Sequence, residues 1–398
     1  MKVLVLDDEP FVLKLLRHML VQVGVGEVTT LGNGHDVLRQ LSDPANHPDV
    51  IVCDLVMPEM DGIEFARELV SLRFVGSLIL MSGEDERVLQ TAEKLVDAHR
   101  FSVLGHLRKP FTLVDLERVL DRWTAEGPAA REPARKTYDA DQVREAITRG
   151  ELINHYQPKV HVATGRFVGV EALVRWQHPV DGLVMPAQFV GLAEEHLLID
   201  DLTRCVLVRA LEDTRRWYRA ALPVQVAVNV SMDNLSSLSF PDFVAAHVAE
   251  AKLAPSDLVL EVTESRLMRD PIAPLEILTR LRLKGFQLSI DDFGTGHSSL
   301  AQLRDIPFDQ LKIDRSFVYR AWTDRTTRAM YDASMNVARQ MGMEAVAEGV
   351  EDLHDWRFVR DSGCDLAQGY FIAKPLPATS IPGWVAEWRT RAVDLLKA

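Results

Sequence analysis

Several polar residues in this chain sit inside, or directly after, otherwise apolar runs. Glu171 follows Val168-Gly169-Val170, Asn229 lies within Val226-Ala227-Val228-Asn229-Val230, and Glu261 interrupts Leu258-Val259-Leu260-Glu261-Val262. Asp291-Asp292 comes directly after Leu288-Ser289-Ile290, Lys312 lies within Leu311-Lys312-Ile313, and Glu348 and Gln368 fall at or near the ends of two later runs. An acid inside an apolar strand costs several kcal/mol when left unpaired in the interior, so these groups need partners. Five carboxylates with one amide oxygen form the all-oxygen donor set suited to Mg²⁺ or Mn²⁺. Adjacent aspartates point to opposite sides of a strand, so Asp291 and Asp292 serve one site only where their strand is ending. One would then bridge two metals and the other complete the second. Two such ions, roughly 3.5–4 Å apart, stabilise the attacking and leaving oxygens of an in-line phosphoryl displacement. Lys312 is suited to holding the attacking water or the developing charge.

A second constellation lies near the start of the chain. Asp7 and Asp8 close a first apolar run, Asp54 a later one, Ser82 the next, and Lys109-Pro110 follows another. Three crowded carboxylates repel one another unless a hard cation sits among them. A lysine and a hydroxyl beside that cation suit a phosphoryl group carried on a carboxylate.

The elements that would place these groups can be read from periodicity. Lys2 to Leu6, Val50 to Cys53, Leu78 to Met81 and Val103 to Leu107 read as buried strands. Between and after them, Phe11, Leu15, Leu16, Met19 and Leu20 share one helical face, as do Leu113, Leu116, Val119 and Leu120. Alternating strand and helix imply a parallel sheet covered on both faces, with its ligand site beyond the carboxyl ends of the strands. Residues 123 to 137, rich in Pro, Ala and charge, read as a linker between a first domain, 1–122, and a second, 138–398. The second domain shows eight strand-like runs, near 153–157, 168–174, 224–230, 258–262, 287–290, 310–313, 344–347 and 366–372. About 250 residues with eight such units is the size of an α/β barrel, whose strand ends would gather the acids at one mouth.

Composition narrows the function classes. Of 398 residues, 47% are hydrophobic and 26% charged, which is ordinary globular usage rather than disorder. The net charge of −13 argues against a duplex-binding surface. Cys53, Cys205 and Cys364 are too few and too scattered for a disulfide framework or a zinc site, so a cytoplasmic compartment is expected. The apolar run at the start stops at Asp7, too short for a secretion signal, and no 18-residue apolar stretch follows, so no membrane association is expected. No GxxxxGK[ST] loop, HExxH helix or GxSxG elbow is present.

Asp7-Asp8, the run from Asp54 through Met57-Pro58 to Asp61-Gly62, Met81-Ser82-Gly83 and Lys109-Pro110 together resemble a response-regulator receiver domain. The resemblance implies a doubly wound parallel sheet, Asp54 as phosphoacceptor, one Mg²⁺ held by Asp7 or Asp8 with Asp54, and Ser82 and Lys109 on the phosphoryl group. It also implies a phosphodonor partner, a sensor histidine kinase or a phosphotransfer protein. His106 departs from the pattern, standing where the family usually carries Tyr or Phe, so coupling of phosphorylation to output is expected to be less conventional.

Residues 138 to about 390 resemble the EAL family of cyclic di-GMP phosphodiesterases. The segments that carry the resemblance are Tyr156-Gln157-Pro158, Glu171-Ala172-Leu173, Arg175, Asn229-Val230-Ser231, Glu261 to Ser265, Asp291 to Gly296, Lys312-Ile313-Asp314, Glu348 to Glu351 and Gln368-Gly369-Tyr370. The implied fold is an (α/β)8 TIM-like barrel. Carried over by position, Glu171, Asn229, Glu261 and Asp291 bind one metal, while Asp291, Asp292 and Glu348 bind a second. Lys312 and Glu348 both qualify for activating water. Gln157, Arg175, Glu351 and Gln368 touch the dinucleotide, and Glu264 anchors a loop running from Asp292 to Ser299, in which His297 replaces a commoner Tyr. No ligand position is missing, so hydrolysis to linear pGpG is the expectation, with a cyclic di-GMP receptor acting by protein binding as the alternative. Receiver–EAL regulators of this kind imply a homo-oligomer without direct DNA binding.

Overall fold

The computed structural model describes residues 1–43, 46–72, 74–83, 89, 91–92, 95–96, 102–123, 138–263, 272–294 and 306–397. The chain divides into two compact units, Met1–Lys136 and Thr137–Ala398. Most of the expected linker, 124–137, lies outside the described residues.

In the first unit, β1 (Lys2–Leu6), β2 (Glu27–Leu31), β3 (Val50–Asp54), β4 (Ser77–Ser82) and β5 (Ser102–Arg108) form one parallel sheet in the order β2-β1-β3-β4-β5. Alternate residues of each strand feed opposite faces. Leu4, Leu6, Ile51, Cys53, Leu78 and Leu80 join one core, and Val3, Val5, Val50, Val52, Ile79 and Met81 the other. The flanking helices include α1 (Pro10–Gln22), α2 (Gly34–Leu41), α3 (Gly62–Ser71) and α4 (Leu113–Leu120). Their starts are chemically specified: Asn33 caps α2, Asp61 accepts from the amides of Ile63 and Glu64 at α3, and Thr112 with Asp115 forms a capping box on α4. The edge strand β2 has no counterpart in the sequence reading, because Glu27-Val28-Thr29-Thr30-Leu31 is only half buried and carries no apolar run.

The second unit contains a closed eight-stranded barrel. Its strands are β6 (Leu152–His161), β7 (Phe167–His178), β9 (Gln225–Val230), β10 (Leu258–Thr263), β11 (Gln287–Phe293), β12 (Gln310–Ile313), β13 (Glu344–Ala347) and β14 (Leu366–Ala367). The two short strands β8 (Gly182–Val184) and β15 (Leu376–Pro377) lie outside the ring, on β7 and β6. The ring runs β6-β7-β9-β10-β11-β12-β13-β14 and closes back on β6. All eight expected runs are strands, but β6 runs antiparallel to both neighbours. Only a few residues separate β6 from β7, enough for a hairpin and too few for a parallel crossover. The last run is also shorter than expected, ending at Ala367.

Helices α5 (Ala140–Arg149), α6 (Val190–Glu195), α7 (Ile199–Arg219), α8 (Phe240–Ala251), α9 (Ile272–Leu283), α10 (Arg315–Val318), α11 (Arg325–Met341), α12 (Leu353–Asp361) and α13 (Ile381–Lys397) belong to this unit. The core beneath them is aromatic and aliphatic, with Trp176, Trp356, Trp388 and Tyr331 buried. Among the described residues, no helix is long and apolar enough to cross a membrane.

Candidate functional site

Strand register assembles the acids. Glu261 on β10 is level with Asn229 on β9, and Glu171 on β7 is level with Gln157 on β6. At the end of β11 the register with β12 slips between Ile290 and Phe293, and Asp292 adopts a left-handed backbone with φ 55°. That irregularity lets two consecutive aspartates serve one site, which a regular strand forbids. Glu171, Glu261 and Asp291 bring carboxylate oxygens within 4.8 Å of one another, and so do Asp291, Asp292 and Glu348. Asp291 is common to both groups.

Lys312 stands among these acids, 1% exposed. Its Nζ lies 2.8 Å from Glu348 Oε1, 3.0 Å from Asp291 Oδ1, 3.0 Å from Glu261 Oε2 and 3.5 Å from Glu171 Oε2. Asn229 Nδ2 donates to Glu171 Oε1 at 2.8 Å. Gln368 Nε2 donates to Glu171 Oε2 at 2.6 Å and to Gln157 Oε1 at 3.0 Å, while Gln157 donates to the Ala373 carbonyl. Six of the sequence-derived positions therefore interlock around Glu171 and Lys312.

Crowding shows in the titration of these groups. Burial pushes Glu348 well above the usual carboxylate range; Lys312 opposes this, and Asp291 and Glu171 add to it. Burial likewise raises Glu171, against the pull of Lys312. Burial works against Glu261 as well, yet Lys312 and Lys159 hold it down at about 2. Burial would lower Lys312, but the surrounding carboxylates hold it well above its ordinary value. Five carboxyls with two ammoniums leave an excess of negative charge in a largely buried cluster, the environment that a hard cation relieves.

Other expected contact residues lie apart from the carboxylates. Arg175 is buried and donates to the Val174 carbonyl. Glu351 is held by Arg315 of α10, whose Nη2 lies 2.6 Å from its Oε1, and the Glu351 amide donates to the buried Asp355. Glu264 and most of the Asp292–Ser299 loop, His297 included, lie outside the described residues. Lys159 and Arg315 were missed by the sequence reading. A lysine two residues after Gln157 in the same strand-like segment was the available signal for the first, and adjacency to Lys312-Ile313-Asp314 for the second. Beside Asn229 and Thr263 opens a cavity of about 280 Å³, walled largely by Ala172, Leu173, Pro186, Ile199 and Val206.

In the first unit, Lys109 Nζ lies 2.7 Å from both Asp7 Oδ2 and Asp54 Oδ2. Asp7, Asp8 and Asp54 bring carboxylate oxygens within 4.8 Å, and the buried Ser82 ends the neighbouring strand. Burial raises the Asp54 carboxyl, Lys109 pulls it down, and Asp7 pushes it back up. Gly62 is needed where the chain returns from Asp54: a Cβ there would lie 2.6 Å from the Asp54 carbonyl oxygen. His106 sits on β5 level with Leu80, beside a groove shared with Arg108, Arg118 and Arg122.

Family models match the chain in two places, the response regulator receiver domain over residues 3–121 and the EAL domain over 140–375. The chain belongs to the EAL family, with a receiver domain ahead of the EAL barrel. It is similar to the cyclic di-GMP phosphodiesterase RocR of Pseudomonas aeruginosa, 34% identical over 95% of this chain and 96% of that protein. The EAL barrel is also similar to the cyclic di-GMP phosphodiesterase NbdA of the same organism, 40% identical over 65% of this chain and 33% of NbdA. Among solved structures, a PaMucR phosphodiesterase in complex with c-di-GMP superposes with a TM-score of 0.58 at 40% identity, covering 61% of this chain and 98% of that one.

Proposed function

We propose that the EAL barrel hydrolyses cyclic di-GMP to linear pGpG with two divalent ions, and that phosphorylation of Asp54 modulates this activity. The observation that carries the reading is the pair of carboxylate groups joined through Asp291, with Lys312 among them. The donor set is all oxygen, partly buried and short of positive charge, which fits Mg²⁺ or Mn²⁺. Glu171, Asn229, Glu261 and Asp291 would hold one ion; Asp291, Asp292 and Glu348 would hold the other. Bound there, the ions supply the charge that makes water nucleophilic at neutral pH and offsets the phosphodiester.

The chain's own residues do the rest. Lys312, kept protonated by its carboxylates, orients the attacking water and balances negative charge developing on the phosphoryl oxygens. Glu348, whose Oε1 lies 2.8 Å from the Lys312 ammonium, takes the proton that the water releases. Gln368 and Asn229 fix the rotamer of Glu171 through opposite oxygens. Arg175 meets the phosphate, being planar and permanently charged, while Gln157, Gln368 and Glu351 contact the dinucleotide. The apolar cavity beside Asn229 offers a wall for a base.

In the receiver, Asp7 and Asp8 with Asp54 would hold one Mg²⁺, Lys109 and Ser82 would engage the phosphoryl group, and a sensor kinase or phosphotransfer protein would donate it. The test is chromatography of products after incubation with cyclic di-GMP and Mg²⁺, beside Glu171→Ala. pGpG with wild type alone supports the reading. Binding of cyclic di-GMP without product in either Mg²⁺ or Mn²⁺ replaces it with a receptor.

A further inference from the structure

Beneath the carboxylates lies a second buried lysine. Lys159, on β6, is 2% exposed, and its Nζ lies 3.1 Å from Glu261 Oε1. Glu261 itself is fully buried, and its other oxygen faces Lys312 at 3.0 Å. The carboxylate is thus gripped from two sides. The antiparallel direction of β6 explains why Lys159 reaches it. Gln157 is level with Glu171 near the mouth, whereas Lys159 is level with Gly169, two residues deeper along β7. From there its long stem crosses the barrel interior to β10, a strand that is not a neighbour of β6 in the ring.

Burying an ammonium carries a desolvation cost that an aliphatic side chain at the same place would not incur. A group kept at that cost where a hydrocarbon would pack is a candidate for a specific task. We propose that Lys159 is a positioning residue of the metal centre: it fixes Glu261 Oε1 from below, so that Glu261 offers Oε2 alone to the cluster with Glu171 and Asp291. The proposal rests on the two-metal reading above. Residues that orient metal ligands from behind cost about 10–100-fold in metal affinity when removed. Simple charge repulsion makes the opposite prediction, since deleting a cation near the site would tighten a second cation.

The test is calorimetric titration of metal-stripped full-length protein with Mn²⁺, comparing wild type, Lys159→Met and Lys159→Gln, with Glu261→Gln as the reference for a lost ligand. Lys159→Met is expected to weaken Mn²⁺ binding about 10–100-fold. Lys159→Gln, which keeps a donor, is expected to fall between Lys159→Met and wild type, and it carries the test if the methionine variant does not fold cooperatively. Turnover of Lys159→Met is expected to drop at limiting Mn²⁺ and recover in excess Mn²⁺, with KM for cyclic di-GMP unchanged. Unchanged or tighter Mn²⁺ binding in both variants overturns the proposal, as does lost turnover that excess metal does not restore. If wild type and Glu261→Gln take up Mn²⁺ alike, the metal reading itself fails, and the role of Lys159 fails with it.

Discussion

Replacing Lys312 by Met tests the electrostatic reasoning about the barrel mouth most directly. The ammonium is 1% exposed and lies between 2.8 and 3.5 Å from four carboxylates. Removing one partner of a buried ion pair costs about 3–5 kcal/mol, because the remaining charge stays buried without compensation. At about 2–4 °C per kcal/mol for a domain approaching this size, the barrel transition should fall by about 6–20 °C. The assay is thermal unfolding followed by circular dichroism in EDTA, repeated in excess Mn²⁺. In EDTA most of this drop is expected, a part being relieved as the acids take up protons. In Mn²⁺ the variant should recover most of the loss, because bound cations replace the missing charge, while turnover should remain at least about 100-fold below wild type if Lys312 orients the attacking water and balances the developing charge. Equal unfolding temperatures for wild type and variant in EDTA refute the claim that Lys312 holds these carboxylates together.

Three further outcomes are expected. The stabilisation conferred by Mn²⁺ should grow as pH rises above the usual carboxylate range, because the raised carboxyls of Glu348 and Glu171 keep protons in the metal-free fold that the ions must expel. In EDTA these two groups remove stability as pH rises above their unfolded value of 4.5, whereas Glu261, held at about 2, contributes stability that disappears only as pH falls from 4.5 toward 2. A metal-induced shift in unfolding temperature that does not vary with pH contradicts this. Gly349→Ala should raise KM several-fold and cost about 1–3 kcal/mol, since φ is 67° and the new Cβ would lie 2.2 Å from Arg315 Cγ, dislodging the guanidinium that holds Glu351; steady-state kinetics and denaturant unfolding read both. Acetyl phosphate should label wild type but not Asp54→Asn on phosphate-affinity gels, and beryllofluoride should change the turnover of wild type alone; identical turnover in the two proteins removes receiver control.

Much of the site was legible because its residues break a local pattern. An acid in an apolar strand is conspicuous in one dimension, and Glu171, Glu261, Asp291 and Lys312 all announce themselves that way. The strands were legible from their apolar runs, except β2, whose half-exposed threonines carry none, and the short outer strands β8 and β15. The direction of β6 could have been inferred from the short connection to β7, since parallel neighbours need a crossover of a dozen or more residues. Lys159 escaped notice because its significance depends on that direction, and Arg315 because its partner Glu351 follows a different strand.

The sequence by itself determined the two-domain plan, the barrel, the inventory of acids and the family. The first three follow from residue type and from hydrophobic period, which are local properties of the chain, and the family from the resemblance its motifs carry. Tertiary structure decided the rest: that Asp292 reaches the site through a register slip, and that Glu261 is held between two lysines from two other strands of the barrel. Such pairings join residues about 20 to 140 positions apart, as with Glu171 and Lys312. They are set by register across a closed ring, where one residue of slip turns a side chain to the other face.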